Sequence, residues 1–213
     1  MSTSERPRKR GRQAEAARND QLVLAAAREV FTTQGADAPV AAIAERAGVG
    51  IATLYRRYGT KEELIQKLAV LAAEQYAAAA SRALDADDPW EGLAQYIREC
   101  VAFGSFSLAP IAGTIAFTPE MAAAGERSDE LAEKVVARAH QAGVLRADAT
   151  TLDIHLVVEQ FGRRAPVPTD EDDNNRERLV SLVLDGLKAR PENTTLPGNP
   201  PTAERYARLW NKP

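Results

Sequence analysis

The stretch that decides the fold is residues 40–61, VAAIAERAGVGIATLYRRYGTK. Its first part places small apolar side chains on one helical face. Gly48 follows, where helices commonly end because glycine adopts left-handed backbone conformations without a Cβ penalty. A second short helix comes directly afterwards, with Leu54 and Tyr58 on one face at i, i+4 spacing. The sequence TKEE at residues 60–63 is a capping box and predicts the start of another helix.

The opposite face of the second short helix carries Ala52, Thr53, Arg56 and Arg57. A DNA-binding helix-turn-helix needs a tight turn and a short second helix whose N-terminal end enters the major groove. The exposed face of that helix must offer small groups and hydrogen-bond donors to base edges. The alternative is an ordinary pair of helices with arginines on a solvated face. This stretch alone is compatible with both interpretations.

The charge distribution along the chain favours DNA binding by the first third. Residues 1–61 carry 11 Lys and Arg against 6 Asp and Glu, a net charge of +5, whereas residues 62–213 carry 16 against 24, a net charge of −8. A basic segment on an acidic remainder predicts that only the basic segment meets a polyanion. Chance segregation of charge is the alternative, but it would not also predict a helix-turn-helix in the same segment.

Composition favours an all-α protein of the cytoplasm. Hydrophobic residues make up 45% of the 213 residues and charged residues 27%, which is ordinary for a globular protein. Alanine is abundant and β-branched runs are few, which favours helix. A single cysteine excludes an internal disulfide framework. No apolar run approaches the ~20 residues that span a bilayer, and no hydrophobic segment of a secretory signal follows the basic start. We expect a cytoplasmic, nucleoid-associated protein without a membrane partner.

A basic arm opens the sequence, with five Lys and Arg among its first 12 residues. Because it has little apolar surface to bury, we expect residues 1–12 to be disordered when DNA is absent, within a flexible arm of residues 1–17. Arg8, Lys9 and Arg10 are candidates to lie along phosphates or to reach into a minor groove. A solvated tail without such a role is the alternative.

Three further parts follow the arm. Residues 18–62 are predicted to form a three-helix DNA-binding domain, residues 63–190 a helical ligand-binding and dimerisation domain, and residues 191–213 a proline-rich tail. Besides the two short helices, longer helices are expected at about 15–34, 61–84, 89–106, 128–142, 149–164 and 173–189, with short helical turns near 110–117 and 118–125.

Capping residues near the helix ends predict several of these boundaries. The sequence DPWE at residues 88–91 combines a capping Asp, a Pro at the first helical position and a Glu in the first turn. Asp148 is expected to cap the next-to-last helix, and the acidic stretch DEDDN at residues 170–174 is expected to form a loop before the last one. Leu22 is expected on a buried ridge of the first helix, and Phe31 at the centre of a small three-helix core.

Residues 18–68, RNDQLVLAAAREVFTTQGADAPVAAIAERAGVGIATLYRRYGTKEELIQKL, closely resemble the DNA-binding domain of the TetR family of bacterial repressors. The resemblance is carried by the first helix ending in Phe31 and Gly35, by IAERAGV, by TLYRRY and by TKEEL. It implies an all-helical homodimer whose N-terminal domains bind the half-sites of a palindromic operator. It also implies a C-terminal domain that binds a small-molecule effector, with the helices at 149–164 and 173–189 pairing across a two-fold axis.

The resemblance also implies roles for residues of the second short helix and its surroundings. Bases are contacted by Ile51, Ala52, Thr53 and Arg57, phosphates by Tyr55 and Lys61, and Arg56 belongs to the same surface. An arginine that forks onto a guanine contributes ~1–3 kcal/mol of discrimination. Ile51 lies three residues before Leu54, so a core position is its alternative role. Val40 and Gly50 replace polar capping residues that are common in the family, which predicts a less rigid domain.

A ligand pocket is predicted among the helices of residues 89–164, because pockets are mostly apolar with a few polar groups. The candidate lining residues are Trp90, Tyr96, Phe103, Phe106, Phe117, Met121, His155 and Glu159. Plain core packing is the alternative for each of them. His155 and Cys100 are residue types found in metal and nucleophilic sites, but the sequence does not complete a recognised metal-binding motif around either of them. We therefore predict neither a metal nor a cofactor.

The function predicted from these features is a ligand-responsive transcriptional regulator, a repressor that binds a palindromic operator as a homodimer and is released by a small molecule. A sequence-blind architectural DNA-binding protein is one alternative. A helical enzyme with an incidental DNA-binding domain is another. Against an enzyme, the sequence has no G-x-G-x-x-G, P-loop, H-E-x-x-H or G-x-S-x-G motif, and only His140 and His155 as histidine acid–base candidates.

Overall fold

The computed structural model describes residues 5–35, 37–104, 115–162, 169–202 and 204, except for the side chains of residues 5–17, 28 and 32. The helices within these residues are α1 (Glu5–Gln34), α2 (Val40–Ala47), α3 (Ile51–Tyr58), α4 (Lys61–Asp85), α5 (Pro89–Phe103), α6 (Pro119–Gln141), α7 (Thr151–Gly162) and α8 (Asp170–Leu187). Within the same ranges, extended pairing is confined to one antiparallel bridge between Leu145 and Lys188. The all-α prediction is confirmed. None of the described helices combines the length and apolar character needed to cross a bilayer.

Two hydrophobic clusters divide the molecule. The first, which we call the head, consists of α1 to α3 with residues 61–72 of α4, and it buries Phe31, Ile43 and Leu54. The second, which we call the body, consists of α4 from Ala79 onward with α5 to α8. Each large aliphatic side chain that is fully buried contributes roughly 1.5–3 kcal/mol, so both clusters stabilise the fold. Because α4 contributes to both, it joins the head to the body.

The C-terminal end of α4 is closed by a side chain from α6. The guanidinium of Arg138 donates hydrogen bonds to the carbonyl oxygens of Ala83 (2.9 Å), Leu84 (3.2 Å), Ala86 and Asp87 (3.3 Å). The last carbonyls of a helix have no partner within the helix, and a cation there also interacts favourably with the helix dipole. Arg138 therefore ties α4 and α6 together at a point where both are part of the body.

The start of α5 follows the sequence prediction and packs closely on α4. Asp88 accepts hydrogen bonds from the backbone N–H groups of Trp90 (2.7 Å) and Glu91 (2.9 Å), as expected for a capping residue. A Cβ atom added at Gly92 would lie 2.5 Å from the carbonyl oxygen of Ala83. The absence of a side chain at Gly92 thus allows the two backbones to approach.

Two expectations for α1 are wrong. The helix begins at Glu5 rather than near Glu15, so it includes much of the arm that we expected to be disordered. The residues there are mostly Arg, Lys, Glu, Gln and Ala, which favour helix, and Pro7 lies in the first turn, where its missing N–H costs little. Leu22 is 48% exposed, and Val23 and Leu24 take the buried positions instead.

In the body, α6 is one continuous helix and not a short turn followed by a separate helix at 128–142. We expected Gly125 to end the first piece. A glycine inside a helix costs only about 1 kcal/mol relative to alanine, and the alanines before it and the packing of α6 on α4 outweigh this cost. The expected short helix near 110–117 lies mostly outside the described residues.

The caps of the last two helices also differ from expectation. Asp148 does not cap α7, because Thr150 and Asp153 form the hydrogen bonds at its start (2.7 and 3.2 Å). The acidic residues 170–173 form the first turn of α8 rather than a loop. Thr169 caps this helix, and carboxylates are favourable at a helix N-terminus because of the helix dipole.

Candidate nucleic-acid interface

The turn between α2 and α3 has the geometry that the sequence predicts. Gly48 adopts φ 67° and ψ 28°, in the left-handed region. Its N–H donates to the carbonyl of Glu45 (3.1 Å), and the N–H of Val49 donates to the carbonyl of Ala44 (3.0 Å). These two bonds satisfy the last carbonyls of α2 and redirect the chain into α3 within three residues.

The two faces of α3 differ sharply in exposure. Leu54 and Tyr58 are buried in the head, as their spacing predicts. Ile51 is 44% exposed and Tyr55 47% exposed, so the structure does not support a core position for Ile51. The other exposed residues of α3 are Ala52, Thr53, Arg56 and Arg57. All the α3 residues that were predicted to contact DNA therefore lie on its open face.

The junction between α3 and α4 is tightly defined. Gly59 has a φ of 75°, and a Cβ atom there would overlap the Glu63 carboxylate. The predicted capping box is present, because the Glu63 N–H donates to Thr60 Oγ1 (3.1 Å) and the Thr60 N–H donates to Glu63 Oε2 (2.9 Å). Lys61 is consequently the first residue of α4, at a helix N-terminus that attracts anions.

An acidic residue on α1, Asp20, contacts the end of α3. The Arg57 Nη2 group donates to Asp20 Oδ2 (2.6 Å), and the Tyr58 hydroxyl donates to Asp20 Oδ1. The Arg57 guanidinium also lies over the Tyr58 ring, 5.7 Å from its centroid. Burial raises the pKa of Tyr58, and Asp20 raises it further, so the hydroxyl stays protonated as a donor.

Sequence reasoning missed Asp20, because 37 residues separate it from Arg57. The feature of the sequence that could have indicated Asp20 is the position of this single carboxylate beside the apolar ridge of the first helix. Arg8, Lys9 and Arg10 lie in the first turns of α1, and their side chains are outside the described part of the chain.

The predicted pocket residues have varied surroundings in the body. Tyr96 is buried, Met121 is half-buried, and Phe103 packs edge-on against Tyr76 with ring centroids 6.3 Å apart. The Lys188 Nζ atom lies 5.2 Å from the centroid of the Trp90 ring. Phe106 is outside the described residues. Phe117 is 72% exposed in the segment before α6.

The polar candidates are enclosed. Glu159 is buried, and burial lowers the pKa of His155 to about 4, so the imidazole is neutral at pH 7. Burial raises the pKa of the Cys100 thiol, which keeps it protonated and makes it a poor nucleophile or metal ligand. Among the side chains that the structure describes, no group of three His, Cys, Asp or Glu residues is placed to hold a metal ion.

A cavity of about 660 Å³ lies between the α6–α7 connection and the segment after α8. Its walls include His140, Arg146, Asp148 and Asn193, and none of the predicted pocket residues lines it. Arg146 donates to both carboxylate oxygens of Asp148 (2.6 and 3.1 Å), which in turn accepts from the Leu196 N–H (2.8 Å). This cavity is therefore bounded by a polar network.

The segment before α6 contacts α4 close to α3. The Ala116 N–H donates to Glu62 Oε1 (3.1 Å), and Gln66 Nε2 donates to the carbonyl of Ala116 (3.0 Å). Ile115 packs against the head cluster. The chain entering α6 is thus bonded to the first turns of α4, directly after the predicted DNA-binding surface.

The glycine turn, the buried anchor of α3 and its exposed polar face define a helix-turn-helix DNA-binding protein. Residues 23–68 match the family model of bacterial regulatory proteins of the tetR family, and residues 88–189 match the C-terminal domain model of SbtR-like transcriptional regulators. The chain belongs to the TetR family of transcriptional regulators. None of the curated proteins compared with the chain matches it.

Solved structures of TetR regulators share the fold. The regulator SCO0520 from Streptomyces coelicolor is 25% identical with a TM-score of 0.60, covering 80% of this chain and 98% of that one. A regulator from Mycobacterium vanbaalenii is 28% identical with a TM-score of 0.58, covering 83% and 98%. LfrR from Mycobacterium smegmatis, crystallised in complex with proflavine, is 22% identical with a TM-score of 0.59, covering 85% and 99%.

Proposed function

We propose that the protein is a homodimeric repressor that binds a palindromic operator through α3 and is released when a small molecule binds in the body. The observation that carries this proposal is the open face of α3, held by the buried Leu54 and Tyr58 and flanked by Lys61 at the start of α4. An exposed polar helix of this length after a glycine turn fits the major groove.

Each exposed residue of this surface has a chemically suitable target. Arg57 forks onto the O6 and N7 atoms of a guanine, and Ile51 and Ala52 pack against thymine methyl groups. Thr53 donates to a base or a phosphate. Phosphates are contacted by Tyr55, Arg56 and Lys61, and Arg8, Lys9 and Arg10 of α1 follow the backbone or the minor groove.

Dimerisation through α7 and α8 is supported by the exposed apolar face of α8. Leu182 is 61% exposed and Leu179 48% exposed, three residues apart on one side of the helix. Val180, Leu184 and Leu187 are buried against the body on the other side. A surface of this kind on a two-fold axis forms an isologous interface that covers both leucines.

The effector site that we propose lies in the body, near the aromatic side chains of α5 and the polar side chains of α7. Tyr96 and Phe103 supply apolar surface, and His155 and Glu159 supply polar groups from one face of α7. The complex of LfrR with proflavine supports the binding of a small molecule in this family fold. Trp90, Met121 and Phe106 extend the same candidate lining.

The bonds of Ala116 to Glu62 and Gln66 support a route from the body to the operator. A ligand that displaces α6 moves residue 116, and this residue is bonded to the first turns of α4. Because α4 begins directly after α3, such a displacement changes the spacing of the two α3 helices in a dimer. A dimer binds two half-sites only at matching spacing, so DNA is released.

The test begins with selection of bound genomic fragments, followed by binding measurements on the selected operator and an unrelated duplex. Arg57→Ala should weaken operator binding about 10- to 100-fold while changing binding of the unrelated duplex little, because a base contact is lost. Lys61→Gln should weaken binding to both duplexes. It should also reduce the slope of log affinity against log salt concentration by about one unit per subunit. Lys134→Gln, an exposed lysine of α6, is the matched control. Equal affinity of the wild type for all duplexes would instead favour an architectural protein.

A further inference from the structure

We propose that Asp20 is a specificity-determining positioning residue, whose carboxylate holds the Arg57 guanidinium in one orientation so that it discriminates a single base pair of each half-site. The proposal rests on the proposed function, because it requires α3 to contact DNA. It assigns a role in DNA recognition to a residue of α1, which lies outside the helix-turn-helix itself.

Two contacts within the described part of the chain restrain the Arg57 guanidinium. Asp20 Oδ2 accepts from Nη2 at 2.6 Å, and the Tyr58 ring lies against the guanidinium with 5.7 Å between its centroid and Cζ. The Asp20 side chain is only 17% exposed, whereas that of Arg57 is 36% exposed. The carboxylate is therefore recessed in the head, and the guanidinium it holds reaches the surface.

Asp20 is itself held in place. Its second oxygen, Oδ1, accepts from the Tyr58 hydroxyl, so the carboxylate cannot rotate freely about its bond to Cβ. Tyr58 is anchored in the head cluster at the end of α3. A fixed acceptor of this kind restrains the long arginine side chain before DNA arrives, which reduces the rotamer entropy lost on binding.

The hydrogen-bonding capacity of arginine makes this restraint compatible with base recognition. A guanidinium has five N–H donors in a planar fork, and a guanine uses two of them. A bond from Nη2 to Asp20 therefore fixes the plane of the fork while other donors approach the base edge. The negative charge of Asp20 also opposes non-specific attraction to phosphates, so it increases the ratio of specific to non-specific affinity.

A purely structural role for Asp20, as a tie between α1 and α3 through Tyr58, makes a different prediction. Loss of such a tie would weaken binding to all duplexes together. Loss of a positioning residue would change the preference at one base pair. Tyr58→Phe separates the two, because it removes the hydroxyl bond to Asp20 but leaves the Arg57–Asp20 pair and the aromatic ring.

The experiment measures equilibrium binding of full-length wild type, Asp20→Asn, Asp20→Ser, Tyr58→Phe and Arg57→Ala at one salt concentration. The duplexes are the selected operator, every single-base-pair variant of one half-site, and an unrelated duplex. Thermal melting of each variant verifies folding. Asn retains an amide oxygen as an acceptor for the Tyr58 hydroxyl, and Ser removes the charge with a shorter side chain, so two variants independently remove the charge.

One position of the half-site should lose its base-pair preference in Arg57→Ala. At that position we expect wild type to bind the operator base pair about 10-fold or more tightly than the substituted base pairs. In Asp20→Asn and Asp20→Ser this discrimination should fall to less than about 3-fold, while preferences elsewhere stay within about 2-fold and affinity for the unrelated duplex rises. In the Asp20→Asn, Arg57→Ala double variant the two effects should not add, since both act through one guanidinium. Tyr58→Phe keeps the Arg57–Asp20 pair and loses only the bond that orients the carboxylate, so its preference should fall between those of wild type and Asp20→Asn.

Two results would overturn the proposal while leaving the proposed function intact. One is an Asp20→Asn protein that keeps the full preference at the Arg57 base pair. The other is a uniform loss of affinity for every duplex, matched by Tyr58→Phe. A wild-type protein without preference for any duplex would overturn the proposed function, and the role of Asp20 with it.

Discussion

Replacement of Arg138 by alanine should destabilise the fold strongly, because four carbonyl oxygens of the α4 end lose their donor. A hydrogen bond to a charged group contributes about 1.5–3 kcal/mol. The bonds to Ala83 (2.9 Å) and Leu84 (3.2 Å) are part-buried, whereas that to Asp87 (3.3 Å) is exposed and can be replaced by water. Such bonds share one guanidinium and do not add fully. We therefore expect a loss of about 2–4 kcal/mol in the free energy of unfolding.

For a chain of this length, 1 kcal/mol corresponds to about 2–4 °C in the melting temperature, so a 3 kcal/mol loss lowers it by about 6–12 °C. The assay is thermal and urea unfolding followed by circular dichroism, at a fixed protein concentration because dimerisation contributes to apparent stability. Arg127→Ala is the matched control, an exposed arginine on the same helix. A melting temperature for Arg138→Ala within 2 °C of that control would refute the reasoning.

Three further predictions concern the body. Gly92→Ala should lower the free energy of unfolding in urea by about 1–3 kcal/mol, because its Cβ would lie 2.5 Å from the Ala83 carbonyl oxygen. Gly125→Ala is the control and should be neutral or stabilising, because no atom lies near its Cβ. Equal effects of the two substitutions would contradict the packing of α5 on α4. The pKa of His155 is lowered from 6.5 to about 4 in the folded state, so the stability from its neutral form is present above pH 6.5 and is lost as pH falls from 6.5 toward 4. The free energy of unfolding should therefore decrease by about 2 kcal/mol less in His155→Leu than in wild type between pH 7.5 and pH 5. An equal decrease in the two proteins would contradict the burial of His155. Cys100 should react with a thiol reagent at least about 100-fold more slowly in the folded protein than in urea, since its thiol is buried and protonated; similar rates would show an open site.

The parts of the fold that local chemistry determines were predictable from the sequence. Gly48 ends α2, Thr60 and Glu63 begin α4, and Asp88 begins α5, because each depends on residues within four positions. The open face of α3 was predictable for the same reason, since the positions of Leu54 and Tyr58 determine which side is buried.

Features that depend on contacts between distant segments were not predictable. The bonds of Arg138 to the α4 carbonyls and of Arg57 to Asp20 join residues that are 37 or more positions apart. Local propensity predicts a helix end at Gly125, but the packing of α6 on α4 outweighs that preference. Leu22 satisfied the helical period yet lies at the edge of the buried face, where the period alone does not fix exposure.

The shared helix α4 has a geometric consequence for how such a regulator can vary. Ala72 is the last of its buried residues in the head and Ala79 the first in the body, and the helix is continuous between them. One residue inserted there would turn the whole DNA-facing end about 100° around the helix axis and advance it by about 1.5 Å. In the proposed dimer, the spacing and orientation of the two α3 helices would therefore depend on the number of residues in this short connecting stretch. An insertion of about one helical turn would instead keep the orientation of the head and advance it by about 5.4 Å.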